Sequence, residues 1–163
     1  ESVAEIFERF GGHKQAAGCT IQADRVPALR DALNDYAVNT LDADDFVQSL
    51  NLDADISFGD ITDAAMEELG QLQPYGLGNP TPVFSAPDVA VKAQPKVIKE
   101  RHLKLQVEHD DHTFSAIGWR MAEQGSDIGI GAHLDAAFTV EPDTYWGGWQ
   151  LNLKDFRLSN LDS

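Results

Sequence analysis

Apolar residues recur at two different periods along this chain, and the change of period divides it. Near the start, Val3, Ile6, Phe7 and Phe10 fall at helical spacing, and Gly11-Gly12 ends the run. A short strand is expected over 18–22. Asp24 is placed to cap a second helix, with Pro27 near its first turn. Val26, Leu29, Leu33 and Tyr36 would form its buried stripe, and it should end near Asn39. Leu52 to Phe58 alternates apolar and polar groups as a half-buried strand does. Thr62 or Asp63 can cap a third helix through Leu72, with Ala65, Met66, Leu69 and Leu72 on one face.

From Gln73 the texture changes. Four prolines and two glycines fall between Pro74 and Pro87, too rigid and too broken for a helix. Beyond them the period is two, over 89–91, 103–107, 114–117, 136–140 and 149–156, with a helical turn expected around Trp119 to Gln124. Five strands with an inserted helix fit an OB-fold, a partly open barrel often used to hold oligonucleotides; an SH3-like barrel is the competitor. The expected fold class is therefore α+β: an α/β domain over 1–73, a Pro/Gly-rich connector over 74–87, and a small all-β OB-like barrel over 88–163.

Composition narrows the classes. At 163 residues and 42% apolar, the chain can bury one sizeable core or two small ones. It has no apolar run near the roughly 20 residues a bilayer span needs and no basic leader, so no membrane partner is expected and the reading is cytoplasmic. Cys19, the single cysteine, can form neither an internal disulfide nor a Cys-type zinc site and is expected as a small buried apolar group. Glu1 is not an initiator methionine and a helix is already under way, so the chain is read as cut from something longer.

The net charge of −15 argues at face value against nucleic acid, since phosphate binding draws on Lys and Arg. Its distribution softens the objection. No Lys or Arg lies between Arg30 and Lys92, an interval holding twelve carboxylates, whereas Lys92, Lys96, Lys99, Arg101 and Lys104 crowd together against Glu100 alone. That run is either a phosphate-facing stripe or ordinary solvated surface.

Gly11-Gly12-His13-Lys14 leads from a helix toward a strand. Two residues without Cβ would let backbone N–H groups approach a phosphate as in an anion-binding nest, with His13 donating a hydrogen bond and Lys14 adding charge. Taken alone, a Gly-Gly at that place is usually just a helix C-cap, and a lone His is more often structural than functional. Asp110-Asp111-His112, preceded by His109, sits between two alternating runs and is read as a turn. The acidic run from Asp42 to Asp55 lacks the glycine and terminal glutamate of a calcium loop and is read as a solvated face. Trp146 and Trp149 are candidate stacking platforms, with Trp149 also a core candidate; Trp119 is assigned to packing.

The longer string from Arg9 to Gly18 resembles the glycine-glycine-histidine signature of the DHHA1 domain, which accompanies the Asp-His-His phosphoesterase domain in RecJ nucleases and oligoribonuclease-like relatives. Pro74-Tyr75-Gly76-Leu77-Gly78-Asn79-Pro80-Thr81-Pro82-Val83-Phe84 is similar to the passage that joins DHHA1 to the OB-fold in bacterial RecJ. His102 to Leu105, and Trp149 with Leu151 and Leu153, also look like that family's barrel strands. The resemblance implies a C-terminal part of a single-stranded-DNA exonuclease of repair and recombination, acting 5′ to 3′, in which Gly11, Gly12 and His13 contact the terminal nucleotide or scissile phosphate. His13 would bind it or also stabilise the transition state.

It further implies that Lys14, Lys96, Lys99, Arg101, Lys104 and Trp146 contribute to the grip on single-stranded DNA. The Mn2+ or Mg2+ pair belongs to the phosphoesterase domain, so this chain is expected to bind neither metal nor other cofactor and to be inert alone. Expected partners are single-stranded DNA, that missing domain and repair proteins. The alternatives are a protein-interaction module of a repair complex, favoured by the acidity, or the accessory half of a short-oligonucleotide phosphoesterase, disfavoured by the barrel.

Overall fold

The period-two runs close into a barrel. In the computed structural model, which describes residues 4–159, the chain divides into two units, Glu1–Ser49 and Leu50–Ser163. The first contains a 3-10 turn at Ala4–Ile6, strands β1 (Arg9–His13) and β2 (Ala16–Thr20), and helix α1 (Val26–Thr40). The second contains β3 (Ala54–Asp55), helix α2 (Asp63–Gly70), β4 (Phe84–Val91), β5 (Lys96–Ile98), β6 (His102–His109), β7 (His112–Gly118), β8 (His133–Pro142) and β9 (Trp149–Leu158).

Five of these strands run β4-β8-β9-β7-β6, and β6 pairs back onto β4 through Ala90↔Glu108 and Val91↔Val107, which closes the ring. All neighbours are antiparallel except β7 and β9, which are parallel. That is the five-stranded OB arrangement. Alternate side chains fill the interior: Val89, Val91, Leu103, Leu105, Val107, Ala116, Leu134, Phe138, Leu151 and Leu153 are all nearly inaccessible. The expected helix around 119–124 is instead a succession of turns, with Gly125 N–H reaching Met121 O.

The unit begins earlier than the change of period suggests. Residues 50–73, assigned from sequence to the first domain, pack in the second unit. The alternation from Leu52 yields only a two-residue strand, parallel to β4. Its last apolar member, Phe58, sits on a 3-10 turn capped by Ser57 and is fully buried in the barrel core. Thr62 caps α2 by accepting the Ala65 N–H, and Met66, Ala65 and Leu69 pack on that core, while Leu72 falls beyond the helix and is 53% exposed. The Pro/Gly passage then folds back on α2. Tyr75 donates its hydroxyl to Leu69 O, Asn79 donates its amide to Leu72 O and Pro74 O, and Gly76 and Asn79 exchange backbone bonds. It ties α2 to β4 within one unit.

The first unit departs more from expectation. Val3 lies outside the described residues, and the chain from Arg9 is strand, not helix. So few residues at helical spacing cannot hold a helix against nucleation, whereas pairing with β2 satisfies their backbone groups, from Arg9↔Thr20 to His13↔Ala16. Helix α1 runs as expected, one residue past Asn39, but Asp24 lies in a preceding 3-10 turn and gives no cap. Its stripe is not buried: Val26 is 43%, Leu33 55% and Tyr36 66% exposed, and Cys19 is exposed as well. Among the described residues of this unit none is buried, because one hairpin and one helix cannot enclose an apolar interior. Asp42 and Asp45 form a reciprocal cap on the turn Ala43–Phe46, which accounts for part of the acidic run.

Gly12 carries a local demand. It has φ 156°, and a Cβ there would stand 2.5 Å from Ala16 O and from Ala17 Cα across the hairpin, whereas one on Gly11 would meet nothing within 4 Å. Gly12→Ala is expected to open the hairpin, at a cost of about 1–3 kcal/mol. Hydrogen exchange of the Ala16–Thr20 amides should accelerate relative to the parent in that variant and be unchanged in Gly11→Ala.

Candidate nucleic-acid interface

The outward side chains of β6 and β7 build a groove of about 380 Å³. Lys104, Gln106, Thr113 and Ser115 line it together with Phe114 and Trp149, whose side chains pack on the core, and the β8–β9 loop contributes Asp143, Trp146 and Gly147. Strand register explains this. Gln106 opposes Ser115, and Lys104 opposes Ile117, on the face alternate to the buried Leu103, Leu105 and Ala116. Trp149 is half-buried, packs on the core and donates its indole N–H to Asp63 Oδ1 at 2.8 Å, so its ring is fixed. Trp146 is 75% exposed and meets Tyr145 edge-on at 4.8 Å. Trp119, expected in packing, is instead 53% exposed, with its ring against His102.

Four cations lie on the β5–β6 hairpin, of which Lys104 lines the groove. Lys96 on β5 stands directly opposite Lys104 on β6, so two like charges share a face. Lys99, Glu100 and Arg101 form the three-residue turn, in which Lys99 and Glu100 have φ 50° and 61°, a conformation that favours Gly or Asn. Among the described residues none of Lys96, Lys99, Arg101 and Lys104 forms an ion pair. Lys92 does, with Glu108 at 2.6 Å, which takes it out of the stripe. Like charges directly opposite one another destabilise a sheet. A site for polyanionic ligand is the physical setting in which such a pair is useful.

His102 reports the same field. Burial first, then the charges of Arg101, Lys99 and Arg120, hold its imidazole below the ordinary histidine value, and its Nδ1 accepts the Arg120 N–H at 3.0 Å. Carboxylates of the barrel are held low: Glu108 by the Lys92 hydrogen bond, Asp135 by the Ser159 hydroxyl and then Arg157, Asp143 by the Trp146 and Tyr145 N–H groups. Both signs run one way. A depressed histidine loses stability as pH falls from its unfolded value toward the lower folded one, and depressed carboxylates lose theirs as pH falls through their folded values. The denaturation midpoint is thus expected to drop in two stages on acidification. In His102→Asn, which keeps an acceptor for Arg120, the first stage should disappear.

Gly11, Gly12, His13 and Lys14 lie in the other unit. Gly11 and Gly12 are strand residues within β1 and form neither a nest nor a helix cap, because the space left by the missing Cβ of Gly12 is used by β2. His13 and Lys14 are exposed, with His13 Nδ1 3.5 Å from the Gln15 N–H. The glycines and His13 border an apolar groove of about 540 Å³ with Phe7, Phe10, Leu29 and Leu33. Asp110 and Asp111 form the two-residue β6–β7 turn, φ 48° and 62°, and Asp110 accepts a hydrogen bond from the Ser57 hydroxyl. Among the described residues no group of three His, Cys, Asp or Glu is placed to hold a metal, and no described helix is long and apolar enough to cross a membrane.

The chain is 31% identical over 138 residues to the single-stranded-DNA-specific exonuclease RecJ of Bacillus subtilis, covering 82% of this chain and 18% of that protein. The protein of the same name from Thermus thermophilus is 34% identical over 83 residues, 51% of this chain and 12% of that one. In the crystal structure of RecJ with Mn2+ from Thermus thermophilus, the fold agrees over 96% of this chain and 22% of that one, with a TM-score of 0.69 at 24% identity. The chain thus spans about a fifth of the length of these relatives. The model of the RecJ OB domain matches residues 52–155, more than half of the chain, and the chain belongs to that family.

Proposed function

We propose that this chain is the substrate-gripping part of a RecJ-like exonuclease that degrades single-stranded DNA 5′ to 3′ in repair and recombination in the cytoplasm. The barrel holds the strand. Lys96, Lys99, Arg101 and Lys104 track phosphates, and Trp146 stacks on a base beside Gln106 and Ser115. The first unit is the end of a DHHA1 domain, whose His13 and Lys14, with Gly11 and Gly12, meet the terminal nucleotide. The Mn2+ or Mg2+ pair belongs to the phosphoesterase domain, and among the described residues of this chain no group of three His, Cys, Asp or Glu fits it.

The observation that carries this reading is the cross-strand pair of lysines, which forms no ion pair among the described residues, at a groove that Trp146 and Trp149 also line. Titration of the chain with a labelled single-stranded oligonucleotide at rising salt tests it. Each phosphate neutralised should contribute about 0.7 to the negative log–log slope. Binding that is absent at low salt, or indifferent to salt, would favour a protein-interaction module instead. Metal-dependent degradation of 5′-phosphorylated strands by this chain alone, at the rate of an intact enzyme, would overturn the assignment of chemistry to another domain.

A further inference from the structure

The β8–β9 loop is closed through one residue. Asp143 donates its backbone N–H to Gly148 O and accepts the Gly147 N–H at its carbonyl, both at 2.9 Å. Its carboxylate Oδ1 accepts the backbone N–H groups of Tyr145 and Trp146, again both at 2.9 Å. Gly147 and Gly148, φ 80° and 75°, supply the left-handed steps that let the chain return to β9. Trp146 is therefore exposed yet anchored at its backbone, and it stands on the wall of the groove that Lys104 and Asp143 also line.

A carboxylate in a phosphate-tracking groove repels the very ligand the groove serves. Two consequences follow from its position. Phosphates are held off the loop that carries Asp143 and drawn to Lys104 and Lys96, and a base is what can approach Trp146 beside Asp143. We propose that Asp143 is a positioning residue for nucleic acid, which fixes Trp146 as a stacking platform and sorts bases from phosphates across the groove. This rests on the reading of the barrel as a single-strand grip. The hydrogen bonds that hold Asp143 ionised keep both roles in place at neutral pH.

The test is a double-mutant cycle on the whole chain, with a fluorescein-labelled oligodeoxythymidylate as probe. Asp143→Ala should weaken binding about tenfold, as Trp146→Ala does, within the range for loss of one base stack. In the Trp146→Ala background the same substitution should bring no further loss and show only the low-salt gain that removal of the charge gives, because the weakening passes through the indole. Asp143→Asn keeps an oxygen acceptor for the loop and removes the charge, so it should bind more tightly than the parent at low salt. Gly147→Ala strains the loop from its other end and should give a loss that also vanishes in the Trp146→Ala background; it serves should Asp143→Ala not fold. An equal loss with and without Trp146, or no loss from Asp143→Ala in a folded chain, overturns the proposal. If Trp146→Ala and reversal of Lys96 and Lys104 are both without effect, the grip itself is wrong and the positioning role falls with it.

Discussion

Phe58→Ala is expected to destabilise the barrel unit by about 3–5 kcal/mol, the range for a truncated core aromatic. Phe58 comes from the segment ahead of the five strands, yet it is fully buried, with its ring edge-on to Phe114 at 5.3 Å, His109 at 5.5 Å and Phe138 at 5.9 Å. These contacts join β6, β7 and β8 at one end of the barrel. All three tryptophans belong to this unit, so a urea transition followed by their fluorescence reports on it alone. A midpoint in Phe58→Ala close to that of the parent would show that residues 50–82 are a tether and not part of the core. If the loss is as large as expected, a truncation that starts at the Pro/Gly passage should fail to fold, while one that starts at Leu50 should keep its transition.

Lys96→Glu is expected to move stability and binding in opposite directions. Opposite Lys104, the new carboxylate converts a repulsive cross-strand pair into an attractive one, worth about 0.2–1 kcal/mol to the fold. The same change removes one phosphate contact and adds a repelling charge, which should weaken single-stranded DNA binding on the order of tenfold at low salt and less as salt rises. The negative log–log salt slope should shrink by about 0.7. Thermal melting and oligonucleotide titration on the same preparation check both halves. A variant that gains stability and binds unchanged would leave the lysine pair as an unremarkable surface feature. One that loses both would place Lys96 in a structural role.

Much of the barrel was legible in the order of residues. Strict alternation through Leu103-Lys104-Leu105-Gln106-Val107 and Trp149-Gln150-Leu151-Asn152-Leu153 marks strands whose inward Leu and Val side chains are nearly inaccessible, with Trp149 half-buried at the start of the second. The same parity puts Lys104 and Gln106 on the outer face. Asp143 and Ser115 carry no local mark of a groove, although an aspartate four residues before Gly147-Gly148 is a turn signal. Proximity along the chain groups Lys92 with the stripe and cannot reveal that Glu108 holds it.

What sequence alone determined, then, is parity and class: which side chains face inward, where turns interrupt, and that the cations crowd into one hairpin. These are properties of near neighbours, set by backbone periodicity. Tertiary structure decided what depends on distant partners. Phe58 left its alternating run to plug a barrel made of later strands, and the first aromatic run became a hairpin because Gly12 lets β2 approach its backbone. Whether two lysines oppose each other across a sheet, and whether one aspartate holds a tryptophan at the wall of a groove, is settled by register and loop closure. No local pattern carries that information, since the free energy of a contact depends on which segments meet and not on either segment alone.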